Sequence, residues 1–145
     1  EAVQRRATAT AGDFKPQAVS NLMWGLAKMG VKKPDAGLLQ AMQGRATVTA
    51  GDCAPQAVAN IMWALAKMGV KPEAGLLKAM QERAIATAGG FDPQKVANLV
   101  WALATMGAKP EAGLLEAMQE RAIATAGGFK PQAVANLVWA LAKMG

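Results

Sequence analysis

Apolar residues recur along the chain every three or four positions, in two kinds of segment. The first kind, seen at 131–144, has so broad an apolar arc that only Gln132, Asn136 and Lys143 form a polar strip. The second kind, seen at 110–126, has a narrower apolar stripe and glutamates on the opposite face. This spacing predicts a largely buried inner helix, named helix A, and an amphipathic outer helix, named helix B.

The two segments alternate in a repeat that tryptophans mark at spacings of 39, 38 and 38 residues. These tryptophans are Trp24, Trp63, Trp101 and Trp139. Pro93 and Pro110 suit the first helical position, and Gly107 and Gly127 suit the left-handed residue after a helix. Self-similarity at such a period is typical of stacked arrays. The sequence therefore predicts an all-α fold, a right-handed α-solenoid of antiparallel helical hairpins.

The repeat pattern also predicts the boundaries of each unit. Helix A is predicted at 16–29, 55–68, 93–106 and 131–144, and helix B at 34–50, 72–88 and 110–126. Residues 1–145 are predicted to form one domain, with a partial repeat at 1–11, repeats at 14–50, 53–88 and 91–126, and a half repeat at 129–145. This amounts to about 3.5 repeats, and we interpret the chain as a fragment of a longer array.

Composition narrows the function. The net charge of +6 and the pI of about 9.8 indicate a polyanionic partner. The chain has no histidine and a single cysteine, and it shows no catalytic constellation, so we expect a protein that is not an enzyme and needs no metal or cofactor. The longest apolar run, 99–104, is too short to span a membrane.

The polar strip of helix A repeats in register and predicts three parallel rows along the concave side of the array. The rows are Gln17, Gln56, Gln94 and Gln132; Asn21, Asn60, Asn98 and Asn136; and Lys28, Lys67 and Lys143, with Thr105 in the third repeat. An asparagine amide can pair with a base edge, and a nearby lysine can hold the adjoining phosphate. The rows therefore favour single-stranded RNA as the partner.

The segment Val-Ala-Asn-Leu-Val-Trp-Ala-Leu-Ala-Lys-Met-Gly at 134–145, repeated with a period of 38, resembles the octotricopeptide repeat. That resemblance implies a chloroplast or mitochondrial factor that binds specific transcripts and governs their processing, with no targeting peptide in this sequence. Helix B departs from the family, since Lys-Pro-Glu-Ala-Gly at 109–113 stands where the family often has Pro-Pro-Pro-Glu-Trp.

Analogy with the related pentatricopeptide repeats implies which residues read RNA, about one nucleotide per repeat. The base-reading position falls on Asn21, Asn60, Asn98 and Asn136, with the glutamine row in support. The second, loop-side position falls on Lys15, Ala54, Asp92 and Lys130, or on Ala18, Ala57, Lys95 and Ala133. The phosphate position falls on Lys28, Lys67 and Lys143.

Other interpretations stay open. The asparagines could instead fix the stacking register, and we expect the tryptophans in the core and Cys53 as a small apolar plug. A recurring arginine, at positions 6, 45, 83 and 121, is expected to meet backbone carbonyls rather than phosphate. The alternative function is a peptide-binding or purely structural scaffold, including a consensus-designed one. The apolar arc of 131–144 also predicts end-to-end self-association.

Overall fold

The computed structural model describes residues 6, 10–30 and 34–144. The described helices are α1 (Pro16–Lys28), α2 (Ala36–Val48), α3 (Pro55–Lys67), α4 (Ala74–Ala86), α5 (Pro93–Met106), α6 (Leu114–Ala124) and α7 (Pro131–Met144). None of the described residues lies in a strand, which confirms the all-α fold. Odd-numbered helices are the A helices and even-numbered ones the B helices. Most of the predicted partial repeat, 1–5 and 7–9, lies outside the described residues.

The A helices begin and end within one residue of their predicted positions. Each begins with a proline, whose missing N–H would have no partner in the first turn. Gly69 and Gly107 follow α3 and α5 in the left-handed conformation, with φ of 71° and 66°. The backbone N–H of Val70 then donates to the Leu65 carbonyl at 2.9 Å, which satisfies a carbonyl at the helix end.

The B helices are shorter than predicted. They end at Val48, Ala86 and Ala124, and a short 3₁₀ turn follows each one. Gly127 lies inside the turn Ala126–Gly128 and has no positive φ, so the prediction of a left-handed helix stop there is wrong. A threonine hydroxyl ends each B helix instead. Thr125, for example, donates from Oγ1 to the Arg121 carbonyl at 2.7 Å.

The recurring arginine ties each B helix to the start of its own hairpin. Arg45, Arg83 and Arg121 donate from Nε to the carbonyl oxygens of Phe14, Cys53 and Phe91 at 2.6, 2.8 and 2.6 Å respectively. These carbonyls lie two residues before the proline of the A helix. The structural role predicted for the arginine is therefore confirmed, with a loop carbonyl rather than the helix end as its acceptor.

The A helices form the closely packed layer of the stack. Neighbouring A helices contact each other far more extensively than neighbouring B helices do. Buried alanines such as Ala57, Ala64 and Ala140 let the A helices approach closely, and Val58, Met62 and Leu65 are fully buried in the core. Close spacing in one layer and wider spacing in the other is the geometry of an α-solenoid whose A layer lines the inner side.

Buried glutamines connect successive B helices. Gln43 and Gln81 accept hydrogen bonds through Oε1 from the backbone N–H groups of Glu73 and Glu111, at 2.9 and 2.7 Å. Glu73 directly precedes α4, and Glu111 lies three residues before α6. Each glutamine therefore ties its own B helix to the segment that leads into the next B helix.

Two further predictions concern apolar positions. Cys53 is fully buried where other repeats have phenylalanine, which confirms it as an apolar plug. Burial raises the pKa of its thiol, against the lowering effect of the Arg83 guanidinium. On α7, Val134 and Val138 are exposed, and the self-association expected from that face stays a prediction. Among the described residues, no helix is long and apolar enough to cross a membrane.

Candidate nucleic-acid interface

The polar strips of the A helices lie on the solvent-facing side of the A layer. All four glutamines of the first row are exposed. Asn21 is exposed, while Asn60, Asn98 and Asn136 are half-buried. Lys28, Lys67, Thr105 and Lys143 are all exposed. The structure therefore brings each predicted row to one accessible surface, which we call the A face.

Asparagine side chains on the A face bond within their own helices. Gln17, Gln94 and Gln132 donate from Nε2 to Oδ1 of the asparagine four residues later, at 3.0, 2.9 and 3.0 Å. The asparagine carbonyl is thereby held, and its Nδ2 group remains a donor toward solvent. These bonds do not cross between helices, so they give no support to a register role for the asparagines. In the other layer, by contrast, the side chains of Gln43 and Gln81 form hydrogen bonds that reach the next repeat.

The tryptophans lie beside the polar rows of the A face, and two of them are exposed there. Trp24 and Trp139 are 42% and 46% exposed, so the prediction that they are core residues is wrong. Trp63 and Trp101 are half-buried against the core. The signal was present in the sequence, because a tryptophan three residues after the asparagine and four before the lysine shares their helix face. The sequence analysis assigned these side chains to the core because each lies at the edge of the apolar arc and large aromatic residues anchor repeat interfaces.

Lysine and tryptophan side chains pair on the A face. The Nζ atoms of Lys28, Lys67 and Lys143 lie 5.3, 5.9 and 5.9 Å from the ring centroids of the tryptophans four residues earlier. These are cation–π distances. The Trp24 and Trp63 centroids are 6.5 Å apart, with the ring planes inclined by 31°. Aromatic, ammonium and amide groups thus alternate across the surface.

The predicted second reading position differs between repeats. Ala57 and Ala133 are buried between helices, so their side chains do not reach the A face. In the third repeat Asp92 caps α5 by accepting from the Lys95 backbone N–H at 2.9 Å, and its Oδ2 lies 2.6 Å from Lys95 Nζ. Desolvation alone would raise the Asp92 pKa, but the hydrogen bonds and charge of Lys95 outweigh it and lower that pKa. Lys15, Ala54 and Lys130 are exposed at the equivalent position.

Recesses between neighbouring A helices add two loop lysines to this surface. One recess of about 240 Å³ is lined by Lys71 and Thr105, and one of about 300 Å³ by Lys109 and Lys143. They occupy the same place in consecutive repeats. The row of ammonium groups therefore continues from the A helices into the loops that follow them.

Charge is divided between the two layers. None of the four described A helices contains an acidic residue, whereas the B helices α4 and α6 carry the exposed glutamates Glu82, Glu116 and Glu120. Among the described residues, no cluster of acidic and cysteine side chains could hold a metal ion. The A face thus combines positive charge, amide donors and aromatic rings, the groups with which proteins bind phosphates and bases.

Comparison with models of known protein families shows which family the chain belongs to. The family model of the RNA-editing substrate-binding complex 6 protein matches residues 1–145. The chain belongs to that family. No curated protein sequence matches it closely enough to add a relative. The helical-repeat character inferred from the sequence is shown, while the octotricopeptide repeat itself is not the family that matches.

Proposed function

We propose, from this family membership and the A face, that the chain binds single-stranded RNA as part of an RNA-editing complex, with about one nucleotide per repeat. The observation that carries the proposal is the register of the glutamine, asparagine and lysine rows on four consecutive A helices, all accessible on one side. The family's description names an RNA-editing substrate-binding complex, which supports an RNA-related role. The proposed role is binding rather than catalysis.

The chemistry of the rows supports different roles for the lysines and the asparagines in RNA binding. Lysines of the A face would hold phosphates, which gives affinity without base selectivity. The asparagine amides would contribute base contacts through Nδ2, because three of their carbonyls are held by glutamines. The organellar location implied by the octotricopeptide resemblance stays a prediction.

The test is RNA binding measured by fluorescence anisotropy, with labelled single-stranded homopolymers at several salt concentrations. Affinity is expected to fall as salt rises, because lysine–phosphate contacts release counterions. Replacing Asn60 and Asn98 by aspartate should change the ranking of the four homopolymers. Gln40→Glu on α2 makes the same amide-to-acid change on an exposed residue of the outer layer and should leave the ranking unchanged.

Two results would contradict the proposal. Absence of binding to any homopolymer at low salt would remove RNA as the partner and favour a peptide-binding or structural scaffold. An unchanged ranking in the double asparagine variant would remove the asparagines as base readers, even if the lysines still bind the RNA backbone.

A further inference from the structure

The tryptophans have no role in the proposed function, although they lie beside the lysines of the A face. Large aromatic side chains that stay partly exposed in a polar strip need an explanation, because burial would stabilise them. Trp63 and Trp101 are anchored against the core on one side and accessible on the other. A ring held in this way is rigid and presents part of its surface to solvent.

The rings follow one another along the array. Each A helix packs beside the next, so the tryptophans lie in register, and the Trp24 and Trp63 centroids are 6.5 Å apart. Lysines cover the rings in three repeats, with Nζ at 5.3 to 5.9 Å. Thr105 stands in the lysine's place in the third repeat, so no lysine equivalent to these three covers Trp101. We call the four tryptophans the aromatic ladder.

We propose that the aromatic ladder is a stacking platform for unpaired bases of RNA, and that Lys28, Lys67 and Lys143 move from ring to phosphate when a base arrives. The proposal rests on RNA binding by the A face. Every base has a flat π surface, so stacking on tryptophan is tolerant of sequence. Stacking a base also stabilises a complex more than an exposed cation–π contact stabilises the free protein.

This arrangement explains the identity of the A-face residues between repeats. A surface that distinguished bases mainly through side-chain hydrogen bonds would vary from repeat to repeat, whereas asparagine and tryptophan are the same in all four. Stacking needs no variation. A base should stack most favourably on Trp101, because no equivalent lysine has to be displaced from that ring. Trp63 is the matched ring, since Lys67 must leave it before a base can stack.

The experiment uses single-stranded RNA and inorganic polyphosphate as two probes of the whole chain. All four tryptophans lie on the A face, so their intrinsic fluorescence reports on that surface. RNA should quench the emission, and polyphosphate should bind without comparable quenching. Trp101→Leu should weaken RNA binding about tenfold and leave polyphosphate binding and the salt dependence unchanged. Trp101→Phe should retain most of the affinity.

The controls separate stacking from folding and from the earlier proposal. Ile123→Ala removes an apolar side chain that is 77% exposed on α6, away from the A face, and should not alter RNA binding. RNA binding without quenching, together with normal affinity in Trp101→Leu, overturns the ladder and leaves RNA binding by the A face intact. Equal losses in the Leu and Phe variants with a lowered melting temperature also overturn the ladder, because they indicate a structural ring. No binding of RNA at low salt overturns both proposals.

Discussion

Two stretches of this chain, 72–106 and 110–144, carry a B helix and the next A helix, and they differ at four positions. The pairs are Lys78 and Glu116, Asp92 and Lys130, Lys95 and Ala133, and Thr105 and Lys143. Both sets of four side chains sum to a charge of +1. In the first stretch a lysine lies on the outer helix, and Asp92 and Lys95 neutralise each other. In the second, the outer helix has a glutamate and both lysines belong to the A helix and its cap.

This comparison shows which residues specify the fold and which can change. The prolines and the recurring arginine are identical in the two stretches, and three of the four differing pairs are exposed in both. Asp92 and Lys95 are present together in one stretch and absent together from the other, as expected for residues that bond each other. The same hairpin thus supports two charge distributions.

The largest expected effect comes from the difference in burial between equivalent core residues of α5 and α7. Leu103 on α5 is fully buried, and its equivalent Leu141 on α7 is half-buried. Leu103→Ala should lower the free energy of unfolding by about 2 to 5 kcal/mol, because it leaves a cavity. Leu141→Ala should cost clearly less. Urea unfolding of both variants measures the difference, and equal losses would contradict the described packing.

A smaller effect concerns the glutamine that joins successive B helices. Gln81 is fully buried and accepts from the Glu111 N–H, while its equivalent Gln119 is exposed. Gln81→Ala should cost about 1 kcal/mol, because it removes the side-chain acceptor of the part-buried Glu111 N–H. Gln119→Ala, the same change at the equivalent position, should alter stability by less than about 0.5 kcal/mol. Equal losses of unfolding free energy in the two variants, measured by chemical unfolding, would exclude this role of Gln81.

Converting the third repeat toward the fourth tests the charge of the A face. Thr105→Lys should tighten binding of single-stranded RNA about fivefold at 0.1 M salt and steepen the dependence of log K on log salt by about 0.7, as one added phosphate contact would. Gln119→Lys adds the same charge to the outer helix and should change neither quantity comparably. Anisotropy titrations that show equal gains would mean that RNA does not follow the A face.

The smallest effect is the pH dependence of the Asp92 cap. Its pKa is lowered in the folded chain, so its contribution to stability is present above the unfolded value of about 3.9 and is lost as pH falls through the folded value. Asp92→Ala should therefore destabilise by about 0.5 kcal/mol at pH 7, and by less as pH falls below the unfolded value.

Thermal unfolding of the unmodified and Asp92→Ala chains across this range measures the effect. Lys130→Ala, at the same position before α7, removes no acceptor and should show no such pH dependence. A destabilisation by Asp92→Ala that grows as pH falls would contradict the sign of the shift.

Sequence reasoning located the A helices closely because their signals are local. Pro93 and Gly107 lie at the two ends of α5, and both act within one turn. The role of Gln81 was not accessible from the sequence, because its partner is a backbone N–H 30 residues away. Gln119, at the equivalent position of α6, is exposed, whereas Gln81 is buried where a further B helix follows.

The candidate site was predicted in part for a similar reason. The asparagine and lysine rows follow from residue type and helix angle, and the structure places them on one surface. Trp24 and Trp139 were misassigned because each lies at the edge of the apolar arc, where the helix angle does not decide between the core and the surface. The Asp92–Lys95 pair is visible in the sequence as opposite charges three residues apart. The burial of Ala57 and Ala133 is not visible there, because it depends on the neighbouring A helices.

The arginine tie has a consequence for how such chains change length. Arg83 and Arg121 each reach back 30 residues, and Arg45 reaches back 31, across the one loop that carries an additional residue. An insertion or deletion of one whole period at any junction between repeats would leave each of these sequence separations unchanged. An insertion of half a period would place an arginine opposite the wrong turn. An added unit of 38 residues would therefore keep each arginine opposite its own loop carbonyl, and 72–106 and 110–144, which differ at four positions, are neighbouring copies that keep this spacing.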